Sequence, residues 1–222
     1  MADAHQTEGA GGRRRGRPAA STGTTTRQRI LEAAQRHFGE LGYRGMAVEQ
    51  LARDLELDAR AIYHYFPSKR ALFQAASEAA FDLYGAEVAV RVLVHQDLRS
   101  RLHAFVDLYR SLFLEHRHLL SFLSVVVVES VAAGQDGGPA GDRFHVEDLT
   151  DHGAPVVAMN MLLVDQAIER GELAGDIGAG AAVALLQMIG MGLGLASLGV
   201  DPPFLAMLDA LDRLIAGNLL TR

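Results

Sequence analysis

From residue 24 onward the apolar positions recur at helical spacing, and the polar and glycine-rich stretches between them cut the chain into segments. Ile30, Leu31, Ala34, Phe38 and Leu41 make the first stripe, preceded by threonines that can cap and followed by Gly42 as a stop, which predicts a helix over 24–41. Val48, Leu51, Ala52 and Leu55 predict a short second helix from about Ala47. A third is predicted over 59–66, with Asp58 as its N-cap and Pro67 ending it. Beyond Ser68 the stripes lengthen, and helices are predicted at about 69–93, 97–115, 117–133, 147–171, 177–198 and 203–220. The β-branched run "SVVVVES" could pass for a strand. Leu119, Leu120, Leu123 and Val127 nevertheless keep the helical period, and no other segment offers a strand to pair with. The expected fold is all-α, with a compact three-helix unit ahead of a longer helical part. Residues 134–145, "GQDGGPAGDRFH", read as a loop, and residues 1–23, rich in Gly, Ala and Arg without an apolar period, as a disordered arm.

Two stretches of this pattern bear on function. The 24 residues from Ile177 to Val200 carry no charge, long enough for a membrane span. Their flanks are Asp176 and Asp201 rather than basic anchors, and Gly and Ala dilute their hydrophobicity. Gly190 and Gly194 stand at a spacing that lets two helices approach closely, in water as in lipid. The favoured reading is a helix inside a soluble bundle or at a subunit interface, with no membrane, and with 203–220 as its companion at that interface. The other stretch is the pair 47–55 and 59–66, whose lengths and short turn are those of a helix-turn-helix. At 100° per residue Ala59, Arg60, Tyr63 and His64 share an arc of about 140°, while Ala61, Ile62, Tyr65 and Phe66 lie opposite. One face can pack while the other meets a partner. Arg, Tyr and His beside Lys69 and Arg70 are residue types that bond phosphates and base edges, although an ordinary solvated face has the same spacing.

Charge sharpens this division. The 222-residue chain has a formal net charge of −6, yet residues 1–80 are net basic and residues 81–222 strongly acidic, so the two parts are expected to meet different partners. Four arginines crowd into "GRRRGRP" at 12–18. The absence of cysteine excludes disulfides and thiolate chemistry, and no secretion signal opens the chain, so a cytoplasmic location is expected. No nucleophile elbow, phosphate-binding glycine loop or H-E-x-x-H motif is present. An enzyme is not expected, and no cofactor is called for. His116 and His118 fall about 200° apart on a helix and cannot share one ion from it. His145 and His152 flank Glu147, Asp148 and Asp151, where a metal site competes with an exposed acidic turn; no metal site is assigned.

Residues 26–73, with "RILEAA" and Phe38, "GY" at 42–43, "LA" at 51–52 and above all "IYHYFPSKRAL", resemble the amino-terminal DNA-binding domain of the TetR family of transcriptional regulators. The resemblance implies a homodimer, mostly a repressor, that binds a palindromic operator on double-stranded DNA and is released when a small-molecule effector enters the carboxy-terminal domain. "AIERGEL" at 167–173 is similar to a segment these proteins often carry there. The domains expected are an arm at 1–23, a DNA-binding head at 24–67 and an effector and dimer domain at 68–222. The chain departs from the family pattern at Glu56, where glycine is usual in the turn: Glu56 needs either a left-handed backbone, at a cost of roughly 1 kcal/mol, or a different turn. Met46 and Ala47 replace a capping Thr or Ser, and Arg60-Ala61 replaces a frequent Gly-Thr pair.

By role, Tyr63 and His64 are expected in the major groove, Arg60 on a base or phosphate, and Lys69 and Arg44 on the backbone. "RGRP" resembles the AT-hook, which places Arg15 and Arg17 in a narrow minor groove or, more simply, on phosphates. Aromatic residues spaced along the later helices are core candidates one by one, but Phe105, Tyr109, Phe122 and Met159 could together line a pocket for a largely apolar effector. Glu129 is either its polar contact or part of a solvated face. The alternative function is an all-α ligand-binding or scaffold protein without sequence-specific DNA recognition.

Overall fold

The computed structural model describes residues 21–133, 147–173, 175–199 and 203–217, and these form nine α-helices without a strand. The first, α1 (Ser21–Gly45), starts before the predicted Thr24 and is broken at Gly42, whose φ of 70° leaves the helical region. The break changes which side chain turns inward. Leu41, the last position of the predicted stripe, is half exposed, and Tyr43 and Met46 enter the core instead, beside Ile30, Leu31, Ala34 and Phe38. α2 (Val48–Asp54) buries Val48, Leu51 and Ala52; its N-cap Ala47 supplies no side-chain hydrogen bond, as its methyl group must fail to do. α3 (Ala59–Tyr65) is capped by Asp58, which accepts from the Arg60 N–H at 2.8 Å.

Between α2 and α3, Glu56 takes φ 56°. Its N–H donates to Arg53 O at 3.0 Å and the Leu57 N–H to Ala52 O at 2.8 Å, the paired bonds of a Schellman cap. The turn keeps the glycine geometry without the glycine. "AIERGEL" ends α7 (Glu147–Glu169) in the same way, with Gly171 at φ 67° and bonds from Gly171 N to Ile168 O and from Glu172 N to Ala167 O. The segment also holds the start of α5 (Leu98–Glu115): Glu172 Oε2 accepts from the Leu98 N–H at 2.6 Å, and the Arg170 guanidinium donates to Gln96 O.

Head and body are not separate cores. α4 (Lys69–Arg91), capped by Ser68, sends Leu72, Phe73 and Ala76 against α1, and the buried Gln35 amide donates to Ala76 O across that contact. α6 (Arg117–Ala133) lies close along α1. At Gly39 an added Cβ would stand 3.1 Å from Phe122 N, so backbones meet where a side chain would hold them apart. Phe38, Phe73 and Phe122, one ring from each of these three helices, pack with centroids 4.8–6.1 Å apart.

α8 (Ala179–Ser197) is long and apolar enough by composition to cross a membrane, but it packs on α6 and α7. Its glycine pair serves contacts within the chain. Gly194 O accepts from Ser124 Oγ at 2.7 Å and Gly190 O from the Tyr109 hydroxyl at 3.1 Å; a Cβ at Gly194 would press on Ser124 Oγ at 3.1 Å. α9 (Pro203–Ile215) packs on α5 within the chain. It turns Phe204 and Leu208 inward against α5, and Asp209 pairs with Arg110 of that helix at 2.9 Å. The uncovered apolar face belongs to α7 and α8: Met161, Leu162 and Ile168 on one, Leu185, Met188 and Leu195 on the other, Met188 being 65% exposed.

Candidate functional site

On α3 the seven residues divide as their period requires. Ile62 is fully buried and Phe66, just beyond, is nearly so, while Arg60, Tyr63 and His64 are exposed on the other side. Packing of Ile62 and Phe66 fixes the rotation of the helix; the exposed polar set follows from it. The His64 ring stands edge-on to Tyr65 at 5.6 Å, and Arg27 of α1 lies over Phe66 at 5.2 Å. Lys69 and Arg44 are brought together: Lys69 Nζ donates to Arg44 O at 3.4 Å and sits 4.8 Å from the centre of the Tyr43 ring. That ring limits the ammonium's freedom, leaving a cation held at the end of α1 and the start of α4. Arg15 and Arg17 lie outside the described residues, as do His145 and the side chains of Glu147, Asp148, Asp151 and His152. Among the described residues no group of three His, Asp or Glu side chains could hold a metal ion.

A cavity of about 360 Å³ opens inside the body, between α4, α5, α6, α7, α8 and α9. That is within the usual range for small-molecule sites. Of the pocket residues expected from the sequence, Phe105, Tyr109 and Met159 line it, joined by Phe81, Tyr84 and Leu123. Phe122 and Glu129 do not. They occupy the other side of α6, because residues 120, 123 and 127 of the same helix face the cavity and the helical period turns 122 and 129 toward α1. Phe122 is fully buried in the aromatic cluster with Phe38 and Phe73, and Glu129 Oε1 accepts from the Tyr43 N–H at 3.3 Å, next to the break at Gly42. Both are therefore joints between body and head rather than pocket walls.

The polar part of the cavity was not anticipated. Burial pushes the phenols of Tyr84 and Tyr109 above their ordinary value of 10.0, Tyr84 far above, and a hydrogen bond between them raises Tyr84 further while lowering Tyr109. Both stay neutral, and the Tyr109 hydroxyl donates a hydrogen bond to Gly190 O at 3.1 Å. Ser124 Oγ is taken up by Leu120 O and Gly194 O. Arg101 and Asn160 also line the wall, 6% and 5% exposed. The sequence did carry a signal for them. Arg101 interrupts the apolar stripe Leu98, Phe105, Tyr109, Leu112, and Asn160 the stripe Val156, Leu163, Ala167. A polar residue in a stripe can equally be a helix-face irregularity, which only placement of the neighbouring helices resolves.

An exposed polar recognition helix on a three-helix head, fused to a helical body that encloses an apolar cavity, defines a helix-turn-helix protein with a separate ligand-sized chamber. Residues 30–76 match the family model for bacterial regulatory proteins of the tetR family, so the head is similar to the DNA-binding domain of that family. The HTH-type transcriptional repressor NicS of Pseudomonas putida is 36% identical over 81 residues, which are 31% of this chain and 38% of that relative. The alignment thus spans well under half of the curated relative's length. A TetR-family transcriptional regulator from Agrobacterium tumefaciens shares the fold with a TM-score of 0.71 at 16% identity, covering 89% of this chain and 99% of that one. A putative transcriptional regulator from Saccharomonospora viridis in complex with choline does so with a TM-score of 0.68 at 22% identity, covering 90% and 100%.

Proposed function

We propose that the chain is a dimeric, ligand-responsive transcriptional repressor in the cytoplasm, with residues 24–67 reading a palindromic operator and residues 68–222 holding effector and partner subunit. One observation carries the reading. α6 faces the cavity with Leu120, Leu123 and Val127, and on its other side carries Phe122 and Glu129, which hold the head at Phe38 and Tyr43. An effector that spreads α5, α6 and α8 moves both anchors at once. Tyr63 and His64 then serve in the major groove, Arg60 on a base or phosphate, Lys69 and Arg44 on the backbone, and Arg15 and Arg17 as a basic arm beside them.

A second copy of the chain fits the uncovered face of α7 and α8 better than the pair α8 and α9. Family regulators bind operators and small effectors, usually as dimers. The α7–α8 face is continuous and apolar, whereas α9 has spent its apolar side on α5. The test of the reading is fluorescence anisotropy with an inverted repeat from upstream of the chain's own gene against a scrambled duplex. Affinity at least about 10³-fold higher for the repeat supports it. Equal affinity for both sinks it, and light scattering that shows a monomer at micromolar concentration sinks the dimer.

A further inference from the structure

We propose that the effector of this cavity is an organic monoacid, its carboxylate held by Arg101 and its apolar body lying along the walls of α4, α5 and α6. This rests on the reading of the cavity as an effector site.

Arg101 has five N–H donors. Nε donates to His95 O at 2.8 Å and Nη1 to Gln166 Oε1 at 2.8 Å, both neutral acceptors. Among the described residues no carboxylate pairs with the guanidinium, and its three remaining N–H groups have no protein acceptor. The residue as a whole is 6% exposed, and an anion bound at the open donors would complete its hydrogen bonding and neutralise its charge. Among the described lining residues Arg101 is the one charged side chain, and no Asp or Glu lines the cavity with it.

The other walls set the body of the ligand. From Arg101 to Tyr109 the cavity follows two turns of α5, about 12 Å. Phe81, Phe105, Val106, Leu123 and Met159 give that length an apolar surface. The hydroxyls of Tyr84, Tyr109 and Ser124 are already engaged. Asn160 makes no side-chain hydrogen bond among the described residues and adds one point where a hydroxyl or carbonyl on the ligand body would be met.

Three probes with one eight-carbon tail separate head-group classes: octanoate, 1-octanol and octyltrimethylammonium, titrated calorimetrically into the purified full chain. Octanoate is expected to bind at least about tenfold more tightly than either of the others, the scale of a charge-assisted hydrogen bond. In R101Q that preference disappears while octanol affinity is unchanged; R101K, which keeps the charge, retains part of the preference and guards against a folding defect in R101Q. Equal or tighter binding of the alcohol or the cation, a preference intact in R101Q, or no binding of any probe overturns the proposal. Operator release measured alongside keeps the two readings apart. Release by octanol but not octanoate rejects the acid and leaves the ligand-responsive repressor standing, whereas an operator that is never bound rejects the repressor and leaves the acid preference readable by calorimetry.

Discussion

The head and the cavity treat polar side chains in opposite ways. In α3, Arg60, Tyr63 and His64 stand in solvent because Ile62 and Phe66 are committed to the core, so the polar set faces whatever approaches from outside. In the cavity, Arg101 and Asn160 sit within apolar stripes, largely buried, with bonding capacity left open toward the cavity among the described residues. An exposed polar group is cheap and gains meaning only from its arrangement. A buried one is expensive and marks a ligand or a network by its cost alone. α6 joins the two regimes, with cavity wall on one side and head anchor on the other.

Removing the joint is the strongest way to break this contrast. Phe122→Ala should cost about 3–5 kcal/mol, as for other buried aromatic truncations, and should lower the melting of head and body together, because its ring touches Phe38 of α1 and Phe73 of α4. Two separate calorimetric transitions in the variant, with the body unchanged, would show that the aromatic cluster does not unite them.

Next in size are changes on the exposed side alone. Tyr63→Ala should lose about 1–3 kcal/mol of operator binding and Arg60→Ala a similar amount at one position of each half-site. Lys69→Ala should weaken binding to all sequences and reduce the salt slope by about 1. Effector affinity measured on the same variants should stay constant. A changed effector affinity in Arg60→Ala would mean that the head's outer face is not independent of the cavity.

The turn between α2 and α3 offers a smaller, stabilising change. Glu56→Gly relieves the left-handed strain and should raise stability by about 1 kcal/mol in a denaturant titration, the Schellman bonds to Arg53 O and Ala52 O being retained. A loss of stability would mean that the exposed Glu56 side chain contributes more than its backbone strain costs.

The smallest effect concerns pH at the head–body contact. Burial, then the neighbouring Arg36 and His116, holds the His118 imidazole below its ordinary 6.5. The unfolded chain therefore takes up this proton first, and its share of stability is complete above about pH 6.5 and declines as the pH falls below that. His118→Gln should flatten the fall in melting temperature between pH 7 and pH 5; an unchanged slope would place the acid sensitivity elsewhere.

Much of the head was legible from the sequence. The periods of α1, α2 and α3, the Asp58 cap and the division of α3 are local consequences of side-chain chemistry, whereas the left-handed backbone at Glu56 was one of two turns open to it and was settled by the structure. Even there Leu41 and Tyr43 exchanged roles, since the Gly42 kink resets the register for the residues after it. Phe105, Tyr109 and Met159, expected at a pocket, line the cavity, whereas Phe122 and Glu129 lie on the other side of α6, a rotation the sequence does not show. The glycine pair of α8 foretold a close approach without saying to what. It turned out to be Ser124 and Tyr109 of the same chain.

What the sequence determined by itself is thus the set of helices, their caps, and the sides on which short helices must pack, because these depend on interactions within a few residues. Which face of α6 meets the cavity, that α9 packs on α5, and that Arg101 is buried with no carboxylate partner among the described residues were decided by the tertiary structure. Each depends on where helices far apart in sequence come to rest, and the free energy of a buried charge exists only once those helices have closed around it.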